Sequence, residues 1–159
     1  MTNKVKPIPE GYHAVTPYLF IKGAGRAMEF YKNVFGAKER LKMQMPGSDA
    51  VAHAELTVGD SVIMLGDECP EMHARGPEAL GGSPVMIHLY VDDVDGVFKR
   101  AVAAGAKVLQ PVEDKFYGDR SGTISDPFGH LWGLATHKED VPPDEINRRA
   151  AAMFKEKGG

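Results

Sequence analysis

The chain of 159 residues has one cysteine, one tryptophan and no block of like charge. Cys69 cannot close an internal disulfide, and it sits between acidic residues and Pro70, which do not lower a thiol pKa, so an inert thiol is expected. No apolar run approaches the roughly 20 residues of a membrane span, and the segment from Met1 to Tyr12 lacks the apolar stretch of a signal peptide. A cytoplasmic protein without a membrane partner is therefore expected. The 19 Lys and Arg are dispersed among 22 Asp and Glu, for a formal net charge of −3. That pattern has no basic stripe for phosphate backbones, and nucleic acid is not an expected partner. No GxSxG, Walker, GxGxxG or HExxH string occurs, which sets aside the common hydrolase, nucleotide-binding and zinc-protease readings.

What is present is a chain of ordinary domain size, 43% hydrophobic, with alternating strand and helix signals. After a Pro-containing lead (1–12), residues 13–21 read as a strand. Residues 24–35 read as an amphipathic helix: Ala27, Met28, Tyr31, Val34 and Phe35 recur at helical spacing and Gly36 is placed to stop it. Residues 38–45, 51–58 and 61–65 read as three strands, the last two joined at Gly59-Asp60. Residues 68–84 carry three prolines and three glycines without periodicity and read as a linker loop. The order then recurs, with strands at 85–91, 107–110, 122–125 and 130–136 and a helix at 94–104. Residues 113–122 read as a loop, and a tail helix over 145–155 is expected to pack as an appended element.

The recurrence is visible in particular residues. Gly36-Ala37-Lys38 and Gly105-Ala106-Lys107 lie 69 residues apart, and the hairpin glycines Gly59 and Gly129 lie 70 apart. Duplication of one βαβββ unit accounts for both. The chain divides on this reading into a lead (1–12), a first module (13–67), a linker (68–84), a second module (85–137) and a tail (138–159).

With Arg26-Ala27-Met28-Glu29-Phe30-Tyr31-Lys32 running into Phe35-Gly36-Ala37, and Asp126-Pro127-Phe128-Gly129-His130, this duplicated unit resembles the vicinal oxygen chelate superfamily of glyoxalases, bleomycin-resistance proteins and extradiol dioxygenases. The strings Thr16-Pro17-Tyr18-Leu19, Gly118-Asp119-Arg120-Ser121-Gly122 and Leu134-Ala135-Thr136-His137 resemble its PhnB-like, glyoxalase-like subgroup. The resemblance implies an α+β fold of tandem βαβββ modules, forming curved mixed sheets around a cleft, with an added C-terminal helix. It also implies pairing of chains, so a homodimer is expected. Metal-dependent members draw His, Glu or Gln ligands from the first and fourth strand of each module. Alignment places Thr16, Met64, Met86 and Gly133 at those positions, and none carries a nitrogen or carboxylate donor. Other possible donors, His53, Glu55, Glu68 and His137, form no recognised metal spacing. No cofactor is expected, with a divalent metal left open.

Strand alternation places Tyr18 and Phe20 on the face of Thr16, places Met64 on the neighbouring strand, and puts His88 and Tyr90 on the face of Met86. Phe116, Tyr117 and Arg120 fall in the 113–122 loop, at a sheet edge. Tyr18, Phe20, Met64, Met86, His88, Tyr90, Phe116, Tyr117 and Arg120 are accordingly the candidate ligand contacts, and His88, flanked by Ile87 and Leu89, is the candidate acid or base. Arg120 suits either an anionic ligand or ion pairs with Asp119 and Asp126. His13, His73, His130 and His137 are expected to be ordinary exposed histidines, and Trp132, one residue from Gly133, a core residue on the opposite face. The expected function is metal-independent binding of a small, partly aromatic molecule. The alternative is a lyase, isomerase or dioxygenase-type enzyme using an unconventional metal site or a His/Tyr acid-base pair.

Overall fold

The computed structural model describes residues 4–158. The chain forms two compact units, one of residues 1–83 with 127–129 and the other of 84–126 with 130–159. The first contains β1 (Tyr18–Ile21), α1 (Ala24–Phe35), β2 (Lys38–Gln44), β3 (Val51–Val58), β4 (Ser61–Asp67), a 3-10 turn (Pro70–Met72) and the short α2 (Pro77–Leu80). The second contains β5 (Met86–Tyr90), α3 (Val94–Ala103), β6 (Lys107–Asp114), β7 (Asp119–Ser125), β8 (Leu131–His137) and α4 (Pro143–Lys157).

The sheet orders are β1-β4-β3-β2 and β5-β8-β7-β6, with the first pair of each parallel and the rest antiparallel. Tandem βαβββ modules, mixed sheets and a C-terminal helix are thus all present. The expected curved sheets around a cleft are not. Among the described residues each sheet is open and neither curved nor closed, ending on two unpaired edge strands. Closing a sheet on itself requires its first and last strands to pair, with tilt and stagger to match, and four short strands do not meet that condition.

Each unit builds its core on one face of its sheet. In the first, α1 packs on β1, β3 and β4. Ala27, Met28, Tyr31 and Val34 of the helix, with Leu19, Ile21, Ala54, Leu56, Ile63 and Leu65 of the strands, are all buried. In the second, α3 packs on β6, β7 and β8, burying Val94, Val97, Ala101, Ile124 and Leu134. Trp132 is 1% exposed, as its alternation with Gly133 implies, and its indole N–H donates to Asp126 Oδ2 at 3.0 Å. β2 is exposed along its length and β6 nearly so, as suits edge strands rich in charge.

The helix ends show why the units form where they do. Gly36 adopts φ 68° as the cap of α1, the left-handed conformation that only glycine reaches without strain. At the other end Gly23 offers no capping side chain, and Asp67, from the end of β4, supplies one. Its Oδ1 accepts from the backbone N–H groups of Gly23 and Ala24 at 3.0 Å each, and its Oδ2 from Val51 N–H at 2.6 Å. Thr136, 69 residues later at the end of β8, accepts from Val94 N–H at 2.9 Å and donates to the Val91 carbonyl at 2.8 Å. The same strand position therefore closes the helix start in both units.

Several boundaries differ from those read in the sequence. β1 begins at Tyr18 because Pro17 has no N–H to pair, although its carbonyl accepts from Met64 N–H at 2.9 Å. The 68–84 linker contains two short helical turns led by Pro70 and Pro77. β6 runs to Asp114 and β7 starts at Asp119, so the expected loop of 113–122 shrinks to a tight connection over 115–118. Among the described residues α4 buries no side chain, leaving Phe154 75% exposed. Arg149 tethers it, donating to the Phe116 carbonyl at 3.0 Å and to Glu139 at 2.9 and 3.1 Å. No helix among the described residues is long and apolar enough to cross a membrane.

Candidate functional site

The face of each sheet opposite its helix is where side chains remain accessible. In the first unit that face carries Tyr18 and Phe20, with ring centroids 5.1 Å apart, and Met64 directly opposite Tyr18 in the β1–β4 register. Two residues from β3 complete it. His53 Nδ1 lies 2.9 Å from the Tyr18 hydroxyl, and His53 Nε2 lies 3.1 Å from Glu55 Oε1. Glu55 is also hydrogen-bonded by the Tyr12 hydroxyl, and Arg40 Nε stands 4.0 Å from its Oε2. The Tyr12 hydrogen bond, then that of His53, holds the Glu55 carboxyl below the usual carboxylate range. Burial pushes the Tyr18 phenol up. The lead borders this face, with the Arg40 guanidinium 5.1 Å from the centre of the Tyr12 ring and donating to the Glu10 carbonyl at 3.2 Å. A pocket of about 430 Å³ lies between them, lined by residues that include Ile8, Tyr12, Thr16, Glu55 and Met64.

In the second unit the equivalent face carries Met86, His88 and Tyr90 along β5. A Cβ built on Gly133, opposite His88 in the register, would lie 2.8 Å from His88 Nδ1 and 3.2 Å from Met86 Cε. The missing side chain of Gly133 is what lets the imidazole and the thioether lie down on β8. His88 is exposed, with its ring edge-on to Tyr90 at 4.9 Å. β5 is the edge strand of an open sheet, so its outer face meets solvent.

The same face carries a chain of acids and rings that the sequence did not signal. Asp119, 5% exposed, accepts from the Tyr90 hydroxyl at 2.8 Å through Oδ2 and lies 2.7 Å from His137 Nδ1 through Oδ1. His137 Nε2 lies 2.7 Å from Asp140. Hydrogen bonds to Asp119 first and Asp140 second raise the His137 pKa, so the doubly donating imidazolium is favoured. The bond to Asp119 likewise raises the Tyr90 phenol. A pocket of about 450 Å³ opens here, lined by Tyr90, Tyr117, Asp119 and His137 with Val141 and Ile146 from the tail.

Of the residues singled out from sequence, Tyr18, Phe20 and Met64 share the first unit's open face, and Met86, His88 and Tyr90 share the second's. Tyr117 joins Tyr90 at the second pocket, while Phe116, edge-on to Tyr117 at 5.3 Å, has its carbonyl committed to Arg149. Arg120 lies in β7, not in a loop, and its partners are not Asp119 and Asp126. It grips Asp95 with two bonds of 2.8 and 2.9 Å and reaches Asp114 at 3.2 Å, tying α3 to the sheet. His53, Glu55, Asp119 and His137 acquire site roles only in the fold. The i, i+2 spacing of His53 and Glu55 on a strand was the one available signal.

Metal-dependent relatives imply a divalent ion, which the residues present do not fit. Thr16, Met64, Met86 and Gly133 offer a hydroxyl, two thioethers and a hydrogen in place of imidazole or carboxylate. Among the described residues no group of three or more His, Cys, Asp or Glu side chains is arranged to hold a metal.

Comparison with known proteins agrees with this architecture. The sequence model of the Glyoxalase/Bleomycin resistance protein/Dioxygenase superfamily matches residues 12–134. An uncharacterized protein of Mycobacterium bovis is 41% identical over 150 residues, covering 92% of this chain and 95% of that one. Among solved structures, TioX from Micromonospora sp. ML1 matches with a TM-score of 0.62 at 29% identity, over 79% of this chain and 98% of that one. A PhnB protein from Bacillus cereus shares the fold, with a TM-score of 0.61 at 20% identity over 78% and 99% of the two chains.

Proposed function

We propose that this chain, which belongs to the Glyoxalase/Bleomycin resistance protein/Dioxygenase superfamily, binds a small, partly aromatic molecule without a metal ion, on the open face of its second unit. One observation carries the reading: at the fourth-strand position where metal-dependent members place a ligand, Gly133 is overlaid by the His88 imidazole and the Met86 thioether. An aromatic and thioether surface with few polar tips favours an organic ring over an ion. Tyr90 and Tyr117 extend that surface into the pocket of about 450 Å³, a volume suited to a small ligand. There the Tyr90 hydroxyl oxygen, whose proton goes to Asp119, is placed to accept from a polar substituent.

Titration calorimetry in EDTA against a panel of phenols, naphthols and quinolines tests this directly. Saturable binding is expected in EDTA, weakened roughly tenfold by His88→Ala or Tyr90→Ala, since an aromatic contact contributes about 1 kcal/mol beyond its buried area. Binding that appears only when a divalent metal is added, or an affinity unchanged in both variants, overturns it.

A further inference from the structure

The tail of the second unit walls its pocket, yet among the described residues α4 buries no side chain. Apolar burial therefore holds it weakly, and its position depends on polar ties. Two of these are fixed. Lys138 and Glu139 donate their backbone N–H groups to the Gly118 carbonyl at 2.9 and 3.0 Å. That approach requires glycine, since a Cβ at residue 118 would run into the Glu139 carbonyl oxygen. Further along, Arg149 donates to the Phe116 carbonyl and to Glu139. Between the two lies the stretch that supplies Val141, Pro142 and Ile146 to the pocket wall. Ile146 N–H donates to the Pro142 carbonyl at 3.0 Å, which joins the three residues to the first turn of α4. The tie from this stretch to the sheet is Asp140, whose Oδ1 lies 2.7 Å from His137 Nε2.

That third tie depends on a proton. A carboxylate faces each nitrogen of His137, so both tail and sheet are served only while both nitrogens carry hydrogen. The titratable groups around the ring are Asp119 of β7, Tyr90 of β5, Tyr117 of the β6–β7 connection and Asp140 of the tail. Loss of one proton leaves a single N–H for two carboxylates, and burial decides between them. Asp119 is 5% exposed, whereas the Asp140 side chain is fully exposed. A buried carboxylate oxygen deprived of its donor costs far more than one that water can reach. The neutral ring therefore keeps its hydrogen on Nδ1, toward Asp119. Nε2 then turns a lone pair on the Asp140 carboxylate, and two acceptors do not stay 2.7 Å apart.

We propose that His137 is a proton-controlled latch for the tail: charged, it holds residues 140–146 in place as a wall of the second pocket, and neutral, it releases them and opens that pocket. The hydrogen bonds to Asp119 and Asp140 that close the latch also raise the pKa of the ring, as closure and proton uptake must be linked. The latch is therefore closed below the raised value and opens as pH rises through it. Each unit by which closure raises that pKa makes the closed tail about tenfold less favoured once the proton is gone. Release removes Val141 and Ile146 from the wall and leaves Tyr90, Tyr117 and Asp119, which the sheet and its connection hold. What this does to a bound molecule rests on the ligand-binding reading of the pocket, and the latch itself does not.

The test is a pH titration of the full chain by NMR, with ¹³C-labelled valine and isoleucine methyl groups and no ligand. The His137 ring is followed in the same samples. The Val141 and Ile146 methyls should shift with the midpoint of His137 as they leave the rings of Tyr90 and Tyr117. Val97 and Ile124, in the core of the same unit, should not move, and their shifts also report that each variant is folded. Asp140→Asn separates movement from charge. Its imidazole still titrates against Asp119, so a methyl shift caused by the ring charge alone would persist. The asparagine amide can accept from Nε2–H or donate to a bare Nε2, so the tail should stay in place and the methyl titration should be lost. The His137 midpoint should also fall toward its ordinary 6.5, because one of its two carboxylates is gone. His137→Gln should likewise abolish the methyl titration. Methyls that do not respond in the wild type, or that titrate unchanged in either folded variant, overturn the proposal. Because no ligand is present, failure of the latch and failure of the ligand-binding reading are seen in separate experiments.

Discussion

The two units share a backbone and differ in what their open faces can do. Tyr18 and His88 occupy the same register position, opposite Met64 and Gly133 on the neighbouring strand. Two strands further the copies part. Glu55 pairs with Met64 and Thr123 with Gly133, so His53 of the first unit corresponds to Ser121 of the second. Serine is too short to reach across to β5 as His53 reaches Tyr18, and the second unit anchors its aromatic residue differently, through Tyr90 and Asp119. Duplication preserved what makes a βαβββ unit fold, down to the strand-end residue that caps the helix, and left the solvent-facing side of each sheet to diverge. Helix-side positions are constrained by close packing, whereas those on the open face are not.

Loss of a core side chain should separate the two units most. Trp132 and Ile63 correspond, and each is nearly inaccessible. Trp132→Ala should cost about 4 kcal/mol, because it opens a cavity and removes the indole donor from Asp126. Ile63→Ala should cost about 3 kcal/mol. Urea denaturation of both variants measures the difference, and a loss under about 1 kcal/mol in either would show that its helix-facing layer does not carry that unit.

The helix caps of the two units also differ. Asp67 accepts three backbone N–H groups where Thr136 accepts one. Asp67→Ala should therefore destabilise by about 2–3 kcal/mol, against about 1 kcal/mol for Thr136→Ala. Equal losses would mean that the charge and the extra bonds of Asp67 contribute nothing beyond a neutral cap.

The smallest expected effect is in pH dependence, where the units should have opposite signs. His137 has a folded pKa raised above its ordinary 6.5 by Asp119 and then Asp140. Its contribution is complete below that value and is lost as pH rises through the raised one. Glu55 has a folded pKa lowered below its ordinary 4.5 by Tyr12 and then His53, so its contribution is complete above that value and is lost as pH falls through the lowered one. Melting temperatures across pH should lose the alkaline decline in His137→Gln and soften the acid decline in Glu55→Gln. Unchanged profiles would show that neither network distinguishes folded from unfolded chains.

Elements whose cause is local were legible in the amino-acid order. α1 over Ala24–Phe35 and β3 over Val51–Val58 fall where periodicity, Gly36 and Gly59 put them, and Trp132 is buried as its alternation with Gly133 requires. Residues 113–122 read as a longer loop because they have little apolar periodicity and two glycines, yet they hold the end of β6 and the start of β7. Charge is tolerated in strands where ions pair across elements, as Arg120 does with Asp95 and Asp114. Tyr18, Met86, His88 and Tyr90 were found because alternation puts them on one face. Their partners were not, since Tyr18 meets His53 35 residues away and Tyr90 meets Asp119 29 residues away.

By itself the sequence determined the duplicated βαβββ order, the helix-facing cores, the family and the lack of metal donors at the family's ligand positions. Those properties rest on periodicity and residue identity, which act within a few neighbouring residues. Only the tertiary structure decided that both sheets stay open, that Gly133 is the floor beneath His88 and Met86, and that His53 and His137 each stand between two hydrogen-bonding partners. These depend on strand register and sheet closure, which bring together residues that no local pattern relates.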